Sequence, residues 1–296
     1  MQLLKSLLLP HFPSGSSINY YNERLFLIGD DANNILVLDV DYNEVDSFTL
    51  FGFADKRIPK SEKSDLEAST FLTLNGNEFL LIIGSGSKRH RKKIHVIPYT
   101  KLNLNLTQSR VIDNDIFIDR IKAIGIDEVN IEGVAVVGVN LILSNRGNRK
   151  NIINHLILTD IGFWEIQDKA NLTAIPLHIP TLAGAIPGVS ELYYEHQSDM
   201  LLITLSSEET NNAYDDGAIG NSYIAWVNAF STKTQNEFIT VDGIVNLAQI
   251  DSEFEREKIE GLCVEKIQGD TMILHLISDN DLGESKLFKV AMKLPE

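Results

Sequence analysis

The sequence is short of cysteine, of positive charge and of helical periodicity, and each shortage removes a class of protein. One cysteine, Cys263, among 296 residues excludes an intrachain disulfide framework and a cysteine-rich zinc site, and it points to a reducing, cytoplasmic setting. The 26 basic residues face 41 acidic ones, a formal charge of −15, which sets most of the surface against nucleic acid and anionic membranes. No stretch approaches the roughly 20 apolar residues of a membrane span. Phosphate loops, dinucleotide fingerprints and nucleophile elbows are missing, and the seven histidines show no metal-ligand spacing.

What is present is a repeat. Short runs of Val, Ile, Leu, Phe and Tyr alternate with clusters of Gly, Asn, Asp and Ser, so the chain reads as almost all β. Stacked by their flanking residues, the runs open at Ser17-Ile18-Asn19, Glu67-Ala68-Ser69, Glu132-Gly133-Val134, Ser190-Glu191-Leu192 and Glu260-Gly261-Leu262. A strand follows each opening, then a turn and a second apolar strand that stops at a polar cluster such as Gly29-Asp30-Asp31 or Ser278-Asp279-Asn280-Asp281. A third strand comes next, and the first four repeats offer a fourth.

Successive openings lie 50, 65, 58 and 70 residues apart, the length of four strands with their loops. This spacing predicts a five-bladed β-propeller forming a single domain over residues 1–296. The fifth repeat has only three strands, whereas Gln2 to Leu9 precede the first with no local partner. Pairing that N-terminal segment with the last blade closes the ring and covers an open sheet edge, which favours a strand over a signal peptide.

The first strand of a propeller blade lines the channel, so the five openings converge on the axis. Ser17, Glu67, Glu132, Ser190 and Glu260 form the expected ring, where three glutamates repel one another unless a cation lies between them. An all-oxygen set of about this number suits Ca2+, which takes six to eight oxygen ligands, better than magnesium or zinc. The competing reading pairs these glutamates with Lys and Arg from adjoining loops.

The order Ser, Glu, Glu, Ser, Glu resembles the calcium-activated nucleotidase (apyrase) family, as do the words Gly188-Val189-Ser190, Glu132-Gly133-Val134 and Lys258-Ile259-Glu260-Gly261-Leu262. The resemblance implies a five-bladed propeller with a central calcium bound through that series. The chain is also similar to an uncharacterised bacterial family of propellers, including its segment Ser207 to Gly217, and more loosely to phytase-like esterase propellers. The nucleotidases' full set of substrate-contacting residues does not map onto this sequence.

Around the ring, Asp30, Asp31, Glu208, Glu209, Asp279 and Asp281 are candidates to orient water or act as general base. Asn145, Arg146, Asn148, Arg149 and Asn280 are candidates to hold an anion, joined by Lys88 and Arg89 from the run Lys88 to Lys93, which places five basic residues in six positions. Strand-end Asp and Asn also make turns, and basic runs also form solvated loops. The expected function is a calcium-binding propeller, either a calcium-dependent phosphohydrolase or esterase-like hydrolase of a small anionic ligand, or a non-catalytic binding module with a structural calcium. No nucleic acid or membrane partner is expected, and the oligomeric state stays open.

Overall fold

A computed structural model describes residues 1–148, 150–182, 186–208, 219–280 and 283–294. Its strands fall into five small sheets, antiparallel except for one short edge pair, each beginning at the axis. Blade 1 is β2 (Gly15–Tyr21), β3 (Arg24–Gly29), β4 (Asn34–Leu38) and β5 (Glu44–Thr49). Blade 2 holds β6 (Leu66–Leu74), β7 (Asn77–Gly84), β8 (Lys93–Thr100), a short β9 (Asn103–Leu104) and β10 (Arg110–Asp113). Blade 3 is β11 (Ile131–Val137), β12 (Asn140–Asn145), β13 (Asn154–Asp160) and β14 (Leu172–His178). Blade 4 is β15 (Gly188–Glu195), β16 (Met200–Glu208), β17 (Ile219–Val227) and β19 (Gly243–Asn246), while β18 (Ile239–Thr240) runs parallel to β14 at the edge of blade 3.

Blade 5, β20 (Lys258–Gln268), β21 (Thr271–Asp279) and β22 (Ser285–Lys293), is completed by β1 (Gln2–Leu9), which pairs antiparallel with β22. The propeller is therefore five-bladed and closed by its N-terminal strand. The first strands touch in cyclic order, β2 to β6, β11, β15, β20 and back to β2. Each seam between neighbouring blades holds its own apolar cluster, so the core is divided into five. Among the described residues no helix is long and apolar enough to cross a membrane.

Two local features depart from expectation. A nine-residue helix, α1 (Asp115–Ala123), joins blades 2 and 3 and buries Phe117, Ile118 and Ile121 in their seam. Three apolar residues at that spacing make only one short face, too little to stand out as helical periodicity. The core residue Trp164 sits in a 3-10 turn (Phe163–Glu165) between strands, where its apolar neighbours read as β in the sequence.

The seam between blades 5 and 1 carries a buried polar lock. Tyr42 Oη, after β4, lies 2.9 Å from His275 Nδ1 on β21, whose Nε2 lies 3.1 Å from Glu265 Oε2. Lys289 Nζ is 2.7 Å from the same carboxylate oxygen. Burial holds the His275 pKa down to about 4. Burial would raise that of Glu265, but hydrogen bonds from Lys289, Lys266 and His275 outweigh it and draw the group to about 2.

Unfolded, these groups titrate near 6.5 and 4.3, so as pH falls the unfolded chain takes up protons that the folded chain refuses. Stability contributed by His275 is present at neutral pH and is lost between about pH 6.5 and 4; that from Glu265 is lost between about pH 4.3 and 2. The melting temperature is expected to fall from pH 7 to 4. H275Q should flatten the fall by up to one proton, about 1.4 kcal/mol per pH unit. An unchanged slope in that variant would contradict the lock.

Candidate axial cation site

One irregularity recurs in all five first strands. The pairing of first with second strand skips a residue between Gly15 and Ser17, Leu66 and Ala68, Ile131 and Gly133, Val189 and Glu191, and Ile259 and Gly261. The skipped residues are Ser16, Glu67, Glu132, Ser190 and Glu260. A β-bulge leaves its extra residue out of the ladder and re-aims the side chain, so the same device repeated five times presents one residue per blade at the same height.

In blade 1 the bulge residue is therefore Ser16, whereas the spacing of the repeats predicts Ser17. The two bulge serines play the same part in different blades. Ser16 Oγ donates to the Leu66 carbonyl, and Ser190 Oγ donates to the Ile259 carbonyl at 2.7 Å, so each serine ties its blade to the residue before the next blade's glutamate. Ser17 lies one step along the strand. Its hydroxyl donates at 2.6 Å to Glu191 Oε2 and meets Ser69 Oγ at 2.7 Å.

Glu191 was missed by the sequence reading. It occupies the position after the bulge, where blades 2, 3 and 5 carry Ala68, Gly133 and Gly261. Burial pushes its pKa well above the usual carboxylate range, against the hydrogen bonds it accepts from Ser17 and the Leu192 and Val134 N–H groups. S17A should thus cost about 1–2 kcal/mol in a urea melt and leave calcium affinity unchanged. A loss of calcium binding in S17A would return that residue to the ring.

Glu67, Glu132 and Glu260 come from three blades. Burial and the nearby carboxylates of Asp65, Asp30, Glu132 and Glu260 raise the Glu67 pKa well above its ordinary value. Asp30, Asp65 and Glu67 offer oxygens within 4.8 Å of one another. Burial also lifts Asp30 to about 7, although Lys63 works in the opposite direction. Asp65, just before β6, escaped notice because the other repeats have no acid there.

The chain supplies cations of its own, so the repulsion among these acids is partly answered without any metal. Lys63 Nζ bonds Asp30 and lies 3.0 Å from Asp65; Arg91 is 2.7 Å from Asp65, and Arg57 is 2.7 Å from Asp31. Lys258 Nζ lies 2.9 Å from Glu260 Oε1, and Arg146 reaches both Glu132 and Glu260. Lys56, Arg57 and Lys63 all come from the polar segment between blades 1 and 2, which also anchors to the Pro10 and Gly283 carbonyls through Lys56. Acceptors nevertheless remain. Whereas Glu260 Oε1 is met by Lys258 Nζ, Asp30 Oδ1 and Asp31 Oδ1 are buried and receive no hydrogen bond. Anionic oxygens left in that state fit a bound cation, since a buried acceptor without a partner costs free energy.

The other rim candidates separate by what they touch. Asn145 accepts from the Asn130 N–H at 2.8 Å and donates to the Glu128 carbonyl, and Asn148 accepts from the Lys150 and Asn151 N–H groups. Both shape their turn, the bland expectation for strand-end Asn, and the Asn148 amide also donates to the Glu128 carboxylate. In the basic run, Arg91 is buried on Asp65, Lys92 is paired with Asp115 and Lys93 with Asp113, while Lys88 and Arg89 are exposed. Asp279 is buried at the end of β21, and Asn280 follows it, partly exposed. Arg149, Glu209 and Asp281, with the side chain of Glu208, lie outside the described residues.

A family model described as a family of unknown function (DUF6929) matches residues 11–292. No curated protein matches the sequence. Among solved structures the chain is similar to glutaminyl cyclase from Myxococcus xanthus, with 10% identity over 99% of this chain and 97% of that one and a TM-score of 0.53, a likeness of fold. A catalytically inactive virginiamycin B lyase from Staphylococcus aureus also aligns, with 11% identity over 97% and 99% of the two chains and a TM-score of 0.43. The nucleotidase resemblance rests on its short sequence words alone.

Proposed function

We propose, for a chain that belongs to a family of unknown function (DUF6929), that it is a calcium-binding propeller whose axial mouth receives a small anionic ligand. The observation that carries this reading is the five-fold bulge, which presents Glu67, Glu132 and Glu260 from three blades, with Asp30 Oδ1 beside Glu67 buried and without a hydrogen-bond donor. Those three carboxylates, with the hydroxyl oxygens of Ser16 and Ser190, would hold the ion; a hydroxyl that donates to a carbonyl keeps lone pairs for a metal. An all-oxygen donor set favours calcium over zinc.

A bound calcium would polarise an oxygen of the ligand and so favour hydrolysis of a phosphoester or ester. The chain's own residues supply the rest. Asp30, at about 7, is matched to take or give a proton at Oδ1 near neutral pH. Arg146 and Lys258 bring positive charge to the ring. A second reading has support in the same geometry: the three glutamates belong to blades 2, 3 and 5, so an ion shared among them would pin the ring together without catalysis.

A panel of phosphoesters and carboxylic esters, assayed with calcium added or chelated, separates the two. Calcium-dependent turnover of any of them supports the hydrolase. A rise of several degrees in melting temperature with no turnover leaves the structural role. The absence of both turnover and a thermal shift would defeat the proposal.

A further inference from the structure

Two of the ring glutamates already share a cation that belongs to the chain. Arg146 follows β12, and its Nη1 lies 3.5 Å from Glu132 Oε2 and 3.9 Å from Glu260 Oε1, with the side chain 9% exposed. Blade 4 builds its seat: Nη2 donates to Ser206 Oγ at 2.9 Å, and the Val189 and Ser206 carbonyls lie 3.5 Å from the guanidinium. The stem crosses Gly188 so closely that a Cβ there would meet Nε at 2.6 Å and Cγ at 2.7 Å. Glycine at that position makes room for the arginine.

A guanidinium does not lose its proton, so it cannot escape a neighbouring ion by titrating. A divalent ion held by Glu132 and Glu260 would compete with it for both carboxylates and repel it across a few ångströms in a poorly solvated site. A buried charge that gives up two carboxylate contacts loses stabilisation, and a new anion restores it.

Resting on the cation-binding reading above, we infer that Arg146 is an exchangeable counter-ion of the ring. Its guanidinium and the divalent ion compete for Glu132 and Glu260, and the displaced guanidinium then recruits an oxyanion, a phosphate or carboxylate, at the same mouth. Cation and anion thus bind cooperatively, each tightening the other by the same factor. Arg146 here sets affinity and ligand class.

The test is calorimetric titration of calcium chloride into the chelator-treated full chain, with sulfate or chloride as the anion at matched ionic strength. R146M is expected to bind calcium about tenfold tighter than the wild type, by removal of the competitor. G188A, which unseats the arginine without removing a charge, should also bind more tightly and guards against misfolding of the first variant. Sulfate should tighten calcium binding by about fivefold or more in the wild type and leave R146M unmoved. Equal or weaker calcium affinity in both variants, or the same sulfate effect on wild type and R146M, would overturn the exchange while leaving the cation site standing. Absence of calcium binding in all three proteins would overturn both.

Discussion

Replacing Glu67 by glutamine is expected to stabilise the metal-free protein and weaken its calcium binding by at least about tenfold, roughly 1.4 kcal/mol or more. The two effects have opposite signs for one reason. Burial and the carboxylates of Asp65, Asp30, Glu132 and Glu260 oppose the Glu67 charge in the folded state. A group whose folded pKa is raised makes the folded chain less stable once it ionises, so above neutral pH a neutral isostere removes a penalty. The same charge is what a divalent ion needs, and the amide cannot supply it. Thermal melts at pH 8 in chelator, with calorimetric titration of calcium, read both effects. A variant less stable than wild type and unaltered in calcium affinity would show that Glu67 serves only to pack the channel.

The second large effect concerns the spacing of the first strands. Gly133 follows the bulge of blade 3, and a Cβ placed there would lie 2.5 Å from the Leu192 nitrogen and 2.8 and 2.9 Å from the Glu191 carbonyl carbon and Cα. All three are backbone atoms of β15, so no rotamer change admits the methyl group and the two blades must part. G133A is expected to cost about 3 kcal/mol or more in a urea melt, at the upper end for overpacking, and to weaken calcium binding because Glu132 moves with its strand. G52A is the control: nothing lies within 4 Å of the added carbon, and its stability should match wild type within about 1 kcal/mol. Equal melts for the two variants would contradict the close approach of blades 3 and 4.

The blades were legible in the sequence because each repeat carries its own turn chemistry and apolar strands, and the missing fourth strand of blade 5 identified Gln2 to Leu9 as the closure. The glutamates were legible for the same reason, since Glu67, Glu132 and Glu260 each stand between an apolar residue and a small one. Blade 1 breaks that pattern: Gly15 replaces the apolar residue, and two adjacent serines fit the ring equally well on paper. Only the strand register, which skips Ser16, decides between them. Glu191 was the reverse case, a charged residue where the other repeats are mostly small, and that departure was a signal available in the sequence.

The cations of the mouth were harder to foresee. Lys63 and Arg57 reach it from an irregular segment with no counterpart in the other repeats; Arg146 was a rim candidate in the sequence, but its seat on Gly188 and blade 4 was not legible there. Spacing and periodicity report the regular part of a repeat, whereas these contacts come from loops that differ between blades. Those loops bring positive charge to the same acids that repel one another, a balance that spacing alone does not reveal.

Anomalous diffraction from a crystal soaked in calcium or a lanthanide tests the central claim most directly. The bulge geometry predicts one ion on the propeller axis, coordinated by Glu67, Glu132 and Glu260. A crystal that takes up no ion on the axis, with those three carboxylates still bonded only to Arg146, Lys258 and their neighbours, would contradict it.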